Sequence, residues 1–233
     1  MKIFAACLFM SALFSAWVYG DGRYQQNYQL SPAQDIVINA FGKGPETVFN
    51  TMELTSFAAA SLGQVHLGEG RNREKIAIKV QYPGIGATIK SDMLMIKQLL
   101  RPLPDYKLIL PTLTEIEKRL FEEIDYNQEA EAMERFKSSL DIQDVIIPRV
   151  FRQWSTGNVL TTRYIPGLSL DLWLATNPGQ AERDRVAGIL NSIFLKGFYG
   201  LGCIHADPNP GNFIITNDLQ VGLIDFGCVK AFD

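Results

Sequence analysis

Two short stretches decide the fold: Cys203-Ile204-His205-Ala206-Asp207-Pro208-Asn209-Pro210-Gly211-Asn212-Phe213 and, ten residues on, Leu223-Ile224-Asp225-Phe226-Gly227. Asp207 lies five residues before Asn212, and Asp225 ends a second apolar run. Phosphoryl transfer from a nucleotide uses one carboxylate near the attacking group, and an amide oxygen with a second carboxylate on Mg²⁺. Either stretch alone is also ordinary turn chemistry. Both together, in this order and spacing, predict a phosphoryl-transfer site.

The segment between these stretches predicts a β-hairpin. Ile214-Ile215-Thr216 and Gln220-Val221-Gly222-Leu223-Ile224 flank the turn pair Asn217-Asp218, and such a turn pair between apolar runs is typical of hairpins. The hairpin would hold Asn212 and Asp225 at neighbouring ends. Protein kinases use this spacing in their catalytic loop and metal-binding segment.

Composition bounds the class of protein. The chain has 233 residues, of which 47% are hydrophobic and 11% aromatic, so it can bury a core as one domain or two closely packed lobes. A formal charge of −3 gives no basic field, which argues against a nucleic-acid partner. The three cysteines and two histidines form no pattern typical of a disulfide framework or a zinc site.

The first twenty residues, MKIFAACLFMSALFSAWVYG, have one early lysine and then an apolar run. This pattern is typical of a secretory signal or a short membrane anchor. Secretion conflicts with chemistry that needs ATP, so two alternatives remain: the segment stays as a membrane anchor, or it is a buried helix of a longer protein. We predict a membrane-associated protein whose remaining residues face the cytosol or the matrix. Residues 21–50 are predicted to be a linker and helical lead-in.

A nucleotide cleft is predicted in the next segment. The small residues Ala58, Ala59, Ala60 and Ser61 form a loop that leads into a strand, and a second strand follows at Lys75–Gln81. The second strand alternates, so Lys79 projects from the face opposite its isoleucines. A lysine under a loop of small residues leaves room for phosphates and places a cation near them. The alternative is a solvated lysine on an edge strand.

Helices are predicted next. An apolar stripe indicates a helix over 85–100, prolines at 102, 104 and 111 indicate a linker, and one long helix is expected from Thr112, with Thr114 as a candidate cap. Glu129 shares the apolar stripe of that helix with Tyr126 and Met133, where a carboxylate is costly without a partner. The kinase architecture would supply Lys79 as that partner.

The remaining segments complete the two-lobed plan. Three short strands are expected within 145–166, a hinge at about Gly167, and a helix over 184–201 that is apolar on nearly every face and must therefore be enclosed. We predict a protein-kinase-like α+β fold with a small lobe at 51–166, which includes the inserted helices, and the start of a large lobe at 167–233.

The motifs resemble those of the UbiB family, also called the aarF-domain kinases, an atypical branch of the protein-kinase-like fold associated with ubiquinone biosynthesis. The match covers about residue 50 to the C-terminus. It lies in the alanine-rich stretch 58–66, the strand and turn at 78–84, the acidic helix segment Glu123-Ile124-Asp125-Tyr126 with Glu129-Ala130, the catalytic-loop stretch 205–212, and Asp225-Phe226-Gly227.

The resemblance implies a role for each site residue. Lys79 would contact phosphate, Glu129 would be its ion-pair partner, and Asp207 would be the catalytic-loop acid. Asn212 and Asp225 would bind Mg²⁺. The alanine-rich loop, Ala58, Ala59, Ala60 and Ser61, would contact ATP together with the acidic pair Glu123 and Asp125.

The sequence departs from the family pattern in three places. The family's Lys-x-Gly-Gln segment is not found upstream of the alanine-rich loop, Asn209 stands where histidine is frequent, and the chain stops six residues after Gly227. We therefore expect a large lobe that is truncated after Asp225-Phe226-Gly227. A separately encoded C-terminal part, a membrane or self-association would then be needed for a stable fold.

Three functional interpretations follow. The first is an atypical kinase or ATPase that uses ATP and Mg²⁺ and supports quinone-lipid biosynthesis at a membrane, with lipid or quinone-biosynthesis proteins as partners. The second is a nucleotide-binding pseudokinase that acts as a scaffold or regulator. The third, an ordinary protein kinase, is disfavoured because the expected glycine-rich loop is replaced by alanines. The phosphoryl acceptor cannot be read from the sequence.

Overall fold

The structure, a computed structural model, describes residues 32–60 and 62–232. The predicted anchor at residues 1–20 and the site residue Ser61 lie outside the described residues. In chain order the elements are α1 Pro32–Phe41, α2 Pro45–Val48, β1 Thr51–Met52, β2 Ala58–Ala60, β3 Gly63–Glu69, β4 Lys75–Gln81, α3 Ile85–Leu100, α4 Tyr106–Glu123, α5 Tyr126–Ser139, β5 Val145–Ile146, β6 Val159–Arg163, β7 Leu168–Ser169, α6 Leu170–Ala175, α7 Gln180–Lys196, β8 Cys203–His205, β9 Phe213–Ile215, β10 Val221–Leu223 and β11 Val229–Ala231.

An antiparallel sheet forms the small lobe, with strand order β1-β3-β4-β6 and β2 paired to β3. The alternation predicted for β4 is confirmed, because Ile76, Ile78 and Val80 are buried while Lys79 is half-buried on the opposite face. The buried face packs against Val37 of α1 and against Phe49, so residues 32–49 cover the sheet. The opposite face of the sheet, from which Lys79 projects, borders the cleft.

The helices between β4 and β5 differ from the prediction. The expected single helix from Thr112 is wrong: α4 begins at Tyr106, includes Pro111, and ends at Glu123, before α5 starts at Tyr126. The carboxylate of Asp125 accepts a hydrogen bond from the amide of Asn127, 3.1 Å away, and this cap begins the new helix. The Thr114 hydroxyl donates to the Leu110 carbonyl inside α4 and caps nothing.

A second sheet has the strand order β5-β10-β9-β7. The predicted hairpin is confirmed, because β9 and β10 pair in antiparallel fashion with Val221 opposite Ile215. The prediction of three strands within 145–166 is wrong: that segment contains β5, a 3₁₀ turn at Arg152–Trp154 and β6. Moreover, β5 pairs in parallel with β10 of the second sheet, although it precedes the predicted hinge.

The helix that leads to the catalytic-loop stretch also differs from the prediction. α7 starts at Gln180, and a π-helical turn over Gly197–Leu201 follows it. Its first residues are polar, and Val186, Ile189 and Ile193 are its buried residues. One stripe of this helix therefore faces the core, and enclosure on its other faces is not found among the described residues. Large apolar side chains near its end are exposed, Tyr199 at 80%.

The largest core joins α5, the second sheet and α7. Phe136 of α5 meets Phe226 edge to face, with ring centroids 5.2 Å apart. Strands β8 and β11, which lie on either side of Phe226 in the sequence, form a short antiparallel ladder in which Val229 pairs with His205. Helix α5 therefore connects the two lobes. Among residues 32–60 and 62–232, no helix is both long and apolar enough to cross a membrane.

Candidate active site

A three-residue ionic centre lies between the lobes. Lys79 Nζ donates to both carboxylate oxygens of Glu129 at 2.9 Å, and to Asp225 Oδ2 at 3.2 Å. The side chain of Glu129 is 2% exposed, that of Lys79 17% and that of Asp225 27%. The structure thus brings together a strand, a helix and the segment after β10, all of which the sequence motifs singled out.

Local folding explains how Glu129 reaches this position. The cap at Asp125 fixes the start of α5, and Tyr126, Met133 and Phe136 form the buried stripe of that helix, in which Glu129 also lies. The Phe226 amide, 3.4 Å from Glu129 Oε1, provides a further donor. A buried carboxylate is tolerated when its oxygens are paired in this way.

The electrostatics of the centre are strongly coupled. Burial disfavours the charge on Lys79, but the carboxylates of Asp225 and Glu129 outweigh it and hold the pKa of Lys79 well above its ordinary value. Burial raises the pKa of Glu129 to about 7, against the opposing effect of Lys79. Burial also acts to raise the pKa of Asp225, but Lys79 and the Gly227 amide lower it overall. Such perturbed groups in a cleft are typical of functional sites.

Hydrogen bonds to Ile224 and Asp225 hold the catalytic-loop stretch, residues 205–212, beside the ionic centre. The amide of Ile224 donates to the Asn212 carbonyl at 3.1 Å, and His205 Nε2 bonds the Asp225 carbonyl. The Asn212 side chain donates to Asp207 Oδ2 at 2.7 Å. The loop therefore presents Asp207 and Asn212 as a bonded pair next to Asp225.

These residues surround a cavity of about 290 Å³. Of the residues predicted for the site, Lys79, Glu123, Glu129, Asp207 and Asp225 line it. The remaining described ones, Ala58, Ala59, Ala60, Asp125 and Asn212, are not in its lining. The predicted loop is wrong for the three alanines, which form strand β2 in the hairpin with β3 and are exposed or half-exposed. Asp125 is engaged as the cap of α5.

Sequence reasoning did not single out several residues that line the cavity. Leu62 follows the alanine-rich strand, Arg119 comes from α4, and Gln128, Ala132 and Arg135 come from α5. The last three recur at intervals of four and three, so a helical pattern places them on one face beside Glu129. The spacing of Gln128, Ala132 and Arg135 was the sequence signal that could have identified them as cavity residues.

The donor set near Asp225 suits Mg²⁺. Carboxylate and amide oxygens are the hard ligands that this ion prefers, and it is commonly held by one or two protein groups together with substrate phosphates. The Asn212 amide donates through its nitrogen to Asp207, so its oxygen is the group left to act as a ligand. No cluster of three or more His, Cys, Asp or Glu side chains suited to a metal occurs in the described part of the chain.

Comparison with known proteins identifies the family. The model of the ABC1 atypical kinase-like domain matches residues 25–233. The chain belongs to the ABC1 atypical kinase-like family. It is similar to the mitochondrial atypical kinase coq-8 of Caenorhabditis elegans, at 32% identity over 90% of the chain and 29% of the relative. It is also similar to the probable serine/threonine-protein kinase abkA of Dictyostelium discoideum, at 29% identity over 83% of the chain and 37% of the relative.

A solved structure supports the kinase-like fold. The complex of Rv3197 with erythromycin from Mycobacterium tuberculosis superposes with a TM-score of 0.75 at 22% identity, covering 96% of this ABC1 chain and 60% of the other. The match to the family model confirms the predicted family, and this superposition confirms the predicted two-lobed α+β fold. The chain spans about a third of the length of the curated relatives it matches.

Proposed function

We propose that this member of the ABC1 atypical kinase-like family binds ATP with Mg²⁺ in the cavity between the lobes and transfers or hydrolyses its terminal phosphate. The observation that carries the proposal is the bond from Lys79 Nζ to both oxygens of Glu129, with Asp225 3.2 Å away. A lysine with its charge maintained in a cleft is suited to phosphate oxygens.

Each residue of the centre has a distinct proposed role. Lys79 orients phosphate oxygens and offsets their charge, while Glu129 holds the lysine side chain in position. Asp207 accepts the proton of the attacking group. Asn212 and Asp225 hold Mg²⁺, which when bound offsets the negative charge of the phosphates. Ala58, Ala59, Ala60 and Ser61 are proposed to close over the nucleotide, with Glu123 and Asp125 contributing acidic groups beside it.

We further propose that the activity supports quinone-lipid biosynthesis at a membrane, on the side where ATP is present. The support is the motif resemblance to the UbiB family together with the similarity to an atypical kinase that is named mitochondrial.

Thermal shift and ATP turnover test the nucleotide proposal. Mg-ATP at 100 times its Kd should stabilise the protein by about 2.7 kcal/mol, because it binds the native state alone. Asp225→Asn should abolish this shift. Asp218→Asn is a matched control, since Asp218 is an exposed residue of the β9–β10 turn and should leave the response unchanged. A normal shift in Asp225→Asn would contradict the Mg²⁺ assignment.

Asp207→Asn separates an enzyme from a nucleotide-binding scaffold. The variant should keep the Mg-ATP shift and lose most ATP turnover, because a general base contributes about 10²- to 10⁴-fold to the rate. Equal turnover in the parent and in Asp207→Asn, with binding intact in both, would favour the pseudokinase interpretation.

A further inference from the structure

Helices α3 and α4 form a hairpin whose connected end exposes apolar side chains. The inner face of the hairpin belongs to a core to which Met93 of α3 and Leu113 of α4 contribute. The connected end, residues 94–110 (the hairpin tip), has further apolar side chains that face outwards. Leu99 is 76% exposed and Leu108 77%. The other large apolar side chains exposed at the tip are Leu94, Met95, Leu103 and Leu110. Exposed apolar side chains concentrated in one segment are typical of an interaction site.

The exposed apolar side chains wrap round the hairpin tip. α3 ends at Leu100 and α4 begins at Tyr106. Each helical residue adds about 1.5 Å along the axis, so Leu94 lies about 9 Å from the end of α3. Leu108 and Leu110 project about 200° apart round the axis of α4. An apolar end of this kind suits insertion into a fluid lipid layer, whereas the residues that dominate protein interfaces are tryptophan, tyrosine and arginine in well-packed pockets, with leucine under-represented.

The charged side chains of the hairpin tip are mostly basic, although the whole chain has a formal charge of −3. Residues 94–110 contain three cations and one acid, namely Lys97, Arg101, Lys107 and Asp105. Lys97 forms an ion pair with Glu117 of α4. Arg101 and Lys107 are exposed and form no ion pair within the part of the chain that the structure describes. Basic side chains beside exposed leucines are typical of helices that bind anionic membrane surfaces.

We propose that the hairpin tip inserts into an anionic lipid surface. Leu99 and Leu108 enter the boundary between the headgroups and the acyl chains, and Arg101 and Lys107 lie against the lipid phosphates. The leucine side chains leave water on insertion, while the long basic side chains keep their charged ends at the phosphates. The inference rests on the proposed work at a membrane and assigns a surface of this chain to it. It does not depend on nucleotide binding.

Helix α4 joins the hairpin tip to the candidate active site. The other end of α4 contributes Arg119 and Glu123 to the lining of the cavity. The distance from Leu108 to Arg119 is about 17 Å along the helix axis, at about 1.5 Å per residue. A lipid-bound tip therefore keeps the cavity close to the membrane surface.

Hydrogen–deuterium exchange of the full chain tests the proposal at the tip itself, even if other residues also bind lipid. Vesicles of phosphatidylcholine mixed with phosphatidylglycerol should slow amide exchange within residues 94–110, and phosphatidylcholine alone should slow it far less. Arg101→Gln and Lys107→Gln should each raise the lipid concentration for half-maximal protection about fivefold, because each loses one cation near an anionic surface. Leu99→Ser combined with Leu108→Ser should raise that concentration at least about tenfold, because two leucines no longer leave water.

Leu172→Ser is the matched control, since Leu172 is 57% exposed on α6 and lies outside the hairpin. It should leave the protection of residues 94–110 unchanged. The two leucines of the tip are exposed, so their double variant should melt at the temperature of the parent and keep the shift with Mg-ATP.

Three outcomes would overturn the proposal. The first is unchanged exchange within residues 94–110 while the chain is bound to vesicles, which would leave the proposed work at a membrane in place but not through the tip. The second is protection that grows with protein concentration in the absence of vesicles, because the tip would then contact another protein chain. The third is the absence of vesicle binding by the parent, which would refute the proposed work at a membrane as well. Failure of the parent to bind Mg-ATP would instead refute the nucleotide proposal alone.

Discussion

Substitution of the partners in the ionic centre should give unequal losses of stability. Lys79→Met leaves two neighbouring carboxylates, Glu129 and Asp225, without their shared cation. Glu129→Gln leaves Lys79 with Asp225 still 3.2 Å from its ammonium group. The lysine variant should therefore be much less stable than the glutamine variant, although each removes one member of the same pair.

The magnitudes follow from burial and from the number of bonds lost. Removing one partner of a buried pair costs about 3–5 kcal/mol, which we expect for Lys79→Met because the side chain of Glu129 is 2% exposed. Glu129→Gln leaves one acceptor oxygen where Lys79 Nζ had two, while the bond that remains is still charge-assisted by the ammonium group, so the substitution should cost about 1–2 kcal/mol. In the double variant the costs should not add, and the coupling should be at least about 1 kcal/mol.

The loss in Lys79→Met should depend on pH. Because burial raises the pKa of Glu129 above its unfolded-state value, the protonated form favours folding. The stabilisation that protonated Glu129 gives the folded state is fully present below the unfolded-state pKa of about 4.3. It is lost as the pH rises through the folded-state pKa. Removal of Lys79 removes the charge that opposes this rise. The variant should therefore regain stability as the pH falls from 7 towards 5, relative to the parent.

Urea unfolding, followed by the fluorescence of Trp154 and Trp173, measures these free energies in the parent, the two single variants and the double variant. Equal losses in the two single variants, additive losses in the double variant, or no recovery of Lys79→Met at lower pH would each refute the reasoning. Lys75→Met is a matched control, since Lys75 is exposed at the start of the same strand and should change stability little.

Two further predictions concern the residues that position the centre. Asp125→Ala should lower the free energy of unfolding by about 1 kcal/mol through loss of the α5 cap, whereas Asp125→Asn should retain most of it; equal losses in both would show that the cap is not the cause. The pKa of Asp225 is lowered in the folded protein. The stability that its ionised carboxylate contributes is therefore present above the unfolded-state pKa of about 3.9 and is lost as the pH falls through the folded-state pKa. Asp225→Asn should therefore differ from the parent at pH 6 and approach it in acid unfolding at lower pH, and a difference independent of pH would contradict this.

The parts of the fold with local periodic signals could be predicted from the sequence. Ile76, Ile78 and Val80 alternate as a strand requires, and the predicted position of Glu129 in a buried stripe matches its place in α5. The link between Lys79 and Glu129 needed more than periodicity, since 50 residues separate them. It followed from the chemistry of a carboxylate that requires a partner, together with the family resemblance.

Other elements had no such signal, or a misleading one. The apolar period continues from Ile116 through Ile124 to Met133, and this hid the break that the cap at Asp125 produces. Strand β5 is two residues long, and its partner strand β10 lies about 75 residues further along the chain. No local pattern indicates such a pairing.

The parallel pairing of β5 with β10 has a consequence for how the chain acquires its structure during synthesis. Val145 leaves the ribosome long before Val221, so the second sheet cannot close until Val221 has also been translated. During that interval the core-facing side of α5 lacks the residues around Phe226 that it contacts in the native protein. At about 5–20 residues per second, this exposure lasts several seconds. The late pairing makes the second sheet the step at which folding and aggregation compete.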